Sequence, residues 1–493
     1  MRMTLEELKK RYPSYTEEQK EEIEARYQAA VSGLGSQIVV LDDDPTGTQT
    51  VHDIYVYTAA PETDCGIPGW GTAEMTEDLM RRGFQDEHGM FYVLTNSRSF
   101  SEEKTEQVHR QIAKSLAAVS KEQGKDFLLI SRGDSTLRGH YPLETDTLRA
   151  ALEEEGASAV DGLILCPFFP EGGRLTAGDV HYCLEGETAV PAGETEFAKD
   201  TTFGFQASDL KEYIAEKSLG RYPADEVLCI ELEELRGMQY EQIERKLCDA
   251  EGFRQIVVNA LEYADLKVFA IALAGALEKG KHFLIRSAAA VPKVLGGVTE
   301  QGFLGREKLL ENAGKGANGG LVVVGSHVKK TNQQLEELRK LPEVEFLEFS
   351  TEHAAEEGAL EAETKRAVRE VERVIRTGRT AVLYTSRKLV LPEGGSKEEA
   401  LRISVRISEA LTDVVCALEE EPAFILAKGG ITSSDVAVRG LGIRKALVMG
   451  QADKGIPVWR QGAEAKFPGR PYIIFPGNVG TEKTLGDLVK RIV

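Results

Sequence analysis

Ile38-Val39-Val40-Leu41-Asp42-Asp43-Asp44-Pro45-Thr46-Gly47-Thr48-Gln49-Thr50 begins as a short apolar run and ends in acids and turn residues. The run reads as a buried strand, and Pro45 and Gly47 force the chain to turn after it. Three adjacent carboxylates at a packed strand end repel one another. They are tolerable where a metal ion, a cationic side chain or a substrate hydroxyl compensates them. In open α/β sheets, ligands bind at the carboxyl ends of the strands. Taken alone, the same turn is equally well a solvated acidic loop in which Asp44 or Thr46 caps the next element.

Outward from this stretch the pattern repeats. Strands are predicted over 37–42, 53–57, 91–95, 126–131 and 163–168, with helices over 102–120 and 142–155 among them. Such alternation predicts βαβ crossovers and a largely parallel sheet. Residues 170–205, rich in Gly, Thr and acids, break the pattern and read as a loop or small hairpin over a site. Strands resume over 227–230, 255–259 and 282–286, and glycines loosen the chain across 290–319. A second α/β unit then starts at Leu321-Val322-Val323-Val324-Gly325-Ser326, with strands over 344–348, 380–384, 423–427 and 472–475. The expected architecture is two α/β domains, 36–295 and 296–493, with mainly parallel sheets and an active-site cleft between them. A charged helical extension over 1–35 precedes them.

A chain of 493 residues is too long for one ordinary core, which agrees with this division. The net charge of −20 argues against a nucleic-acid or anionic-membrane partner, because phosphates would be repelled. The N-terminus is densely charged and lacks the apolar core of a secretory signal. No apolar run reaches bilayer length, and the longest, Val268 to Leu277, reads as a buried helix. Cys65, Cys166, Cys183, Cys229, Cys248 and Cys416 form no CxxC pair, so neither a disulfide framework nor a zinc site is expected, and the reading is cytoplasmic. The oligomeric state stays open, a homo-oligomer included.

Three further strand ends carry polar residues of a consistent kind: Thr95-Asn96-Ser97-Arg98-Ser99, Ser131 through His140, and Glu171-Gly172-Gly173-Arg174-Leu175-Thr176. A parallel sheet places all four on one edge. Carboxylates there can orient sugar hydroxyls or take a proton from one, and Arg98 and Arg138 can clamp a carboxylate bidentately. The combination suits a small polyhydroxylated acid. His52, His140 and His181 match no compact ligand spacing, so no dedicated protein-held metal is expected; Mg²⁺ brought by a nucleotide is the natural cation. In the second half, glycine turns follow strands at Gly325, at Gly429-Gly430 and at Gly477 to Gly480. Backbone N–H groups at such turns suit phosphates, although none matches the P-loop or the dinucleotide fingerprint.

These strings resemble the four-carbon acid sugar kinases from about Gln37 onward. The resemblance rests on Asp43-Asp44-Pro45-Thr46-Gly47, on Thr95-Asn96-Ser97-Arg98 and on Asp134-Ser135-Thr136-Leu137-Arg138-Gly139. Arg174, the run Glu194 to Asp200, Gly325-Ser326, Gly429-Gly430 and Gly477-Asn478-Val479-Gly480 extend it. It implies a sugar-acid-binding domain over 36–295, a nucleotide-binding domain over 296–493, and ATP with Mg²⁺ as phosphate donor. The acceptor would be a hydroxyl of threonate, erythronate or a related short acid. Substrate would meet Asp43, Asp44, Arg98, Asp134, Ser135, Thr136, Arg138 and Arg174. ATP would meet Ser326, Gly429, Gly430, Ile431, Thr432, Gly477, Asn478, Val479 and Gly480. Two departures mark a divergent branch. Ile431 stands where the family's Gly-Gly-Asp-Thr pattern has an acid, with Asp435 a substitute. Phe475-Pro476-Gly477 stands where a Lys-x-Gly arrangement is usual.

Asp43 or Asp134 is expected to accept the hydroxyl proton, with domain closure excluding water. Two other readings compete: a catalytically reduced sensor of sugar acid or nucleotide, and an ATP-independent, Mg²⁺-dependent hydrolase or aldolase. ADP release and an ATP-induced rise in melting temperature discriminate among the three.

Overall fold

The structure, a computed structural model, describes residues 2–59, 67, 70–312, 318–325, 329–352, 354, 356, 358–386, 397–477 and 479–493. The chain divides into two compact units, residues 1–51 with 63–300, and residues 52–62 with 301–493. The first opens with β1 (Met3–Thr4) and β2 (Gln37–Asp42), whereas the next strand, β3 (Ile54–Tyr57), belongs to the second. The first unit continues with β4 (Met90–Leu94), β5 (Phe127–Arg132), β6 (Gly162–Cys166), β7 (Arg174–Ala177), β8 (Val180–Glu185) and β9 (Thr188–Pro191). It is completed by β10 (Leu228–Ile230), β11 (Arg254–Val258) and β12 (Phe283–Ser287).

Its main sheet runs β10-β11-β6-β12-β5-β2-β4, and every pair is parallel. Parallel neighbours require crossovers, and the sequence supplies amphipathic helices for them. Between β4 and β5 lies the helix Glu102–Gln123. Ser101 Oγ accepts from Lys104 N at its start, and Gly124 at φ +61° ends it. Val108, Ile112, Leu116 and Val119 fall on one face of that helix and are buried. Residues 170–205 form a small meander, β7-β8-β9, and not a bare loop. The N-terminal segment is not one helix. Met3-Thr4 pairs antiparallel with Thr188-Ala189, and helices Leu5–Lys9 and Glu17–Ser32 follow, with Pro13 between them.

The second unit contains β13 (Leu321–Val324), β14 (Val344–Phe349), β15 (Thr380–Thr385), β16 (Ile425–Lys428), β17 (Lys445–Asp453), β18 (Ile456–Gln461) and β19 (Pro471–Phe475). Its sheet runs β3-β17-β18-β19-β16-β13-β15-β14. The part from β19 to β14 is parallel and the rest antiparallel. Val322, Leu335, Leu426, Ile473 and Leu488 belong to its core. The β17–β18 hairpin was not expected, because Gly450, at φ +122° where the register shifts, interrupts the alternation. Among the described residues no helix is long and apolar enough to cross a membrane.

Candidate functional site

Strand register brings the polar ends of the first unit together. Asp42 is paired with Leu94 on one side and Arg132 on the other, and Arg132 with Ser287, which is paired with Cys166. Five strands therefore end on one row, and their following loops leave the sheet on the same side. Asp43, Arg98, Asp134 and Arg286 meet there.

Asp43 is the centre of the cluster. Arg98 grips it bidentately, Nη2 at 2.6 Å from Oδ1 and Nε at 3.2 Å from Oδ2, and Arg132 Nη1 lies 3.6 Å from Oδ1. Asp44 has a different duty. Its Oδ1 accepts from Thr46 N at 2.8 Å as the cap of the turn Pro45–Thr48, and its Oδ2 is 3.5 Å from Arg98 Nη1. Asp42 points inward, with Oδ1 3.1 Å from Arg132 Nη1 and Oδ2 without a hydrogen-bond partner. Gly47 packs on it so closely that a Cβ there would lie 2.1 Å from the carboxylate. The three carboxylates thus serve as strut, site and cap.

The loop after β5 carries the second group. Arg138 Nε donates to Asp134 Oδ2 at 2.7 Å, and Thr136 Oγ1 donates to the same oxygen. Leu137 is held at φ +68°, a conformation costly for a side chain of its kind, while Tyr213 Oη donates to its carbonyl at 2.9 Å. His181 Nε2 donates to the Ser135 carbonyl at 2.8 Å and Thr176 Oγ1 donates to Nδ1. Burial lowers His181 to about 4, so the imidazole is neutral and works as a brace. His140 Nε2 likewise meets the Phe100 carbonyl. Arg174 and Arg138 flank the Phe197 ring, 5.5 and 5.2 Å from its centroid, so residues far apart in the chain share one wall.

The sequence reading missed two buried charges. Arg286, at the end of β12, donates from Nη1 to Ser131 Oγ at 2.8 Å and to Glu144 Oε2. Glu144 accepts from Ser97 Oγ at 2.6 Å through its other oxygen. The backbone is shaped around this guanidinium: a Cβ on Gly133 would lie 2.2 Å from Arg286 Nη2. The available signal was an arginine closing an apolar strand, Phe283-Leu284-Ile285-Arg286.

Electrostatics separates the carboxylates. Burial pushes Asp43 up, against Arg98, Arg132 and Arg286, so it holds a proton more readily than an ordinary aspartate. Burial acts in the same sense on Asp134, but the Arg98 and Arg138 guanidiniums outweigh it and hold that carboxyl far below the usual range. Burial likewise opposes ionisation of Glu144, yet Arg286 overcomes it and brings the carboxyl to about 2. Asp42 is pushed up to about 7 by burial, with Arg132 opposing. A carboxyl raised on folding favours the folded chain while protonated, and this contribution is lost as pH climbs from 3.8 through about 7. Asp42→Asn is therefore expected to gain stability relative to the parent across that window. Urea unfolding at stepped pH values checks it, and parallel stability curves would refute it.

The second unit repeats the arrangement. Val324, Lys428 and Phe475 are register partners on one row, and a glycine turn follows each. Gly325 faces Thr432, whose Oγ1 would lie 2.6 Å from an added Cβ. Gly429 has φ +112° and ψ 146°, backbone open essentially to glycine alone. It leads into the helix Gly430–Asp435, where Thr432 is buried and Ile431 is 65% exposed. Gln334 Nε2 donates to the Val479 and Thr481 carbonyls at 3.3 and 2.9 Å, fixing the turn that contains Gly477 and Gly480. Asp435 is half-buried and bonded by Ser408 Oγ at 3.4 Å. Ser326 and Asn478 lie outside the described residues.

A sugar-binding N-terminal domain model matches residues 38–295, and a nucleotide-binding C-terminal domain model matches residues 321–485. The chain belongs to the four-carbon acid sugar kinase family. In this family member the row at β2 lies in the sugar-binding domain and the row at β16 in the nucleotide-binding domain. No curated protein matches the family member in sequence. A Salmonella typhimurium LT2 structure, described as a candidate tRNA synthase, is 16% identical with a TM-score of 0.63. That match covers 92% of this chain and 98% of the other. Haemophilus influenzae protein HI1011, assigned to the DUF1537 family, is 17% identical with a TM-score of 0.55, over 92% and 100% of the two chains. At these identities the likeness is one of fold.

Proposed function

We propose that this sugar kinase family member transfers the γ-phosphoryl group of ATP to a hydroxyl of a short sugar acid of the threonate or erythronate class. The observation that carries the reading is the divergence of Asp43, gripped by Arg98, and Asp134, paired with Arg138, two carboxylates pushed in opposite directions. A general base is helped by a raised proton affinity, and burial moves Asp43 in that direction. Asp134 stays ionised and, with Ser135 and Thr136, is suited to orient hydroxyls. Arg138 and Arg174, spaced by the Phe197 ring, provide cations for the acid's carboxylate. Arg98 keeps Asp43 and Asp44 from repelling each other.

In the proposed step the substrate oxygen forms a bond to the γ-phosphorus as the bond to the bridging oxygen of ADP breaks. The hydroxyl proton passes to Asp43. Mg²⁺, when bound with the nucleotide, neutralises charge on the phosphates. Gly430, Ile431, Thr432, Gly477, Val479 and Gly480 offer backbone N–H groups to that phosphate chain, while Gly429, whose own N–H donates to the Phe475 carbonyl at 2.9 Å, permits the close approach.

An ADP-release screen over four- to six-carbon sugar acids with ATP and Mg²⁺ tests the reading. Release above the water background with at least one four-carbon acid is expected. An ATP-induced rise in melting temperature with no ADP release would replace it by a binding protein. Absence of any ATP effect would leave ATP-independent chemistry.

A further inference from the structure

Lys428 closes β16 and is fully buried. Among the described residues its Nζ has only weak polar company: the carbonyls of Pro476 and Gly477 lie 3.4 and 3.5 Å away, at the outer limit of a hydrogen bond. The ammonium sits 4.3 Å from the centroid of Phe475, its register partner on β19. Among the described residues no carboxylate pairs with it. The charged group that bears on it is Lys330, of like sign, from the helix Lys329–Leu338, while the nearby acid on the following helix, Asp435, is bonded by Ser408. A buried cation without a counter-ion is costly unless a ligand provides the negative charge. Two glycine-bearing turns, at Gly429 and Gly477, open directly beside this one, and Gly325 follows Val324, its partner on β13.

We infer that Lys428 is the ammonium that receives the phosphate chain of the nucleotide. This rests on the nucleotide reading above and goes beyond it. Phe475, which precedes the turn at Gly477, carries no charge, and the positive charge sits on its register partner one strand across the sheet. The phenyl ring forms a face on which the ammonium rests. Burial lowers Lys428 to about 7, with Lys330 adding to the effect, so an arriving phosphate would also draw a proton onto the amine.

The test is calorimetric titration of the full-length protein and of Lys428→Met with ATP and with adenosine at pH 8. A melting curve of each unliganded protein accompanies the titrations. The variant is expected to bind ATP about 10- to 100-fold more weakly, the range of a lost charged hydrogen bond, and to bind adenosine as the parent does. Its unliganded melting temperature is expected to be equal or higher, since a buried amine without a counter-ion has gone. Unchanged ATP affinity in a folded variant would overturn the inference while leaving nucleotide binding intact. A parent that binds no ATP would remove the nucleotide reading itself, and the inference with it. Should the variant fail to fold, the parent alone decides. Titration in two buffers of different ionisation enthalpy must show proton uptake with ATP and none with adenosine, and equal heats in both buffers would reject the role of Lys428.

Discussion

Asp43→Asn is expected to lower turnover by about 10²- to 10⁴-fold at saturating ATP and sugar acid, the range of a lost general base. The amide keeps the shape of the carboxylate and can still accept from Arg98 through one oxygen, so binding of the acid should change far less than kcat. Stability should not fall, because folding already favours the uncharged form of this side chain. Asp134→Asn is expected to behave differently. That carboxylate is held ionised by Arg98 and Arg138, and its loss should raise KM for the acid more than it lowers kcat. The pH profile adds a sign: turnover of the parent should rise with pH as Asp43 gives up its proton, and the residual activity of Asp43→Asn should lack that limb. Steady-state kinetics of both variants checks the pair. Full turnover by Asp43→Asn would move the base elsewhere.

Arg286→Met should be among the most destabilising single changes in the sugar-binding domain, by about 3–5 kcal/mol. It leaves the Glu144 carboxyl buried without the guanidinium that favours its charge, beside Ser97 Oγ and, at 3.8 Å, His109 Nε2. The gap it makes also lies against Gly133, whose lack of a Cβ exists to admit the guanidinium. The double variant Arg286→Met with Glu144→Leu removes both charges and should recover much of the loss, since an apolar pair of similar volume often matches a buried ion pair. Urea unfolding followed in the transition of the sugar-binding domain reads this out. A double variant no more stable than the single one would show that the ion pair is not what couples the two positions.

The site residues legible in the sequence were those that follow a strand immediately. Asp43, Arg98, Asp134 and Arg138 all come just after an apolar run, where a parallel sheet leaves its edge open, and pattern alone locates such positions. Arg286 and Glu144 lay beyond that rule. Arg286 precedes the last residue of its strand, and Glu144 is an ordinary acid in the first turn of the helix Leu143–Glu154. Their meeting depends on β12 being inserted between β5 and β6, and strand order is not written in local periodicity. The same reason hid the relation of Lys428 to Phe475, which exists only because β16 and β19 are neighbours. The β17–β18 hairpin escaped because a bulge hides alternation, and β3 was legible as a strand but not as a partner of β17.

That partnership bears on how the chain can be made and divided. Ile54–Tyr57 leaves the ribosome long before its antiparallel partner, residues 445–448. The nucleotide-binding sheet therefore cannot be completed until residues 445–448 have been made, whatever order the remaining strands adopt. A fragment cut at the obvious glycine-rich junction and expressed as residues 301–493 would leave one long side of β17 without its partner. Such a fragment would present a ready template for sticking to its neighbours. A separable second half has to carry residues 52–62 with it, either as a co-expressed peptide or fused to one of its ends.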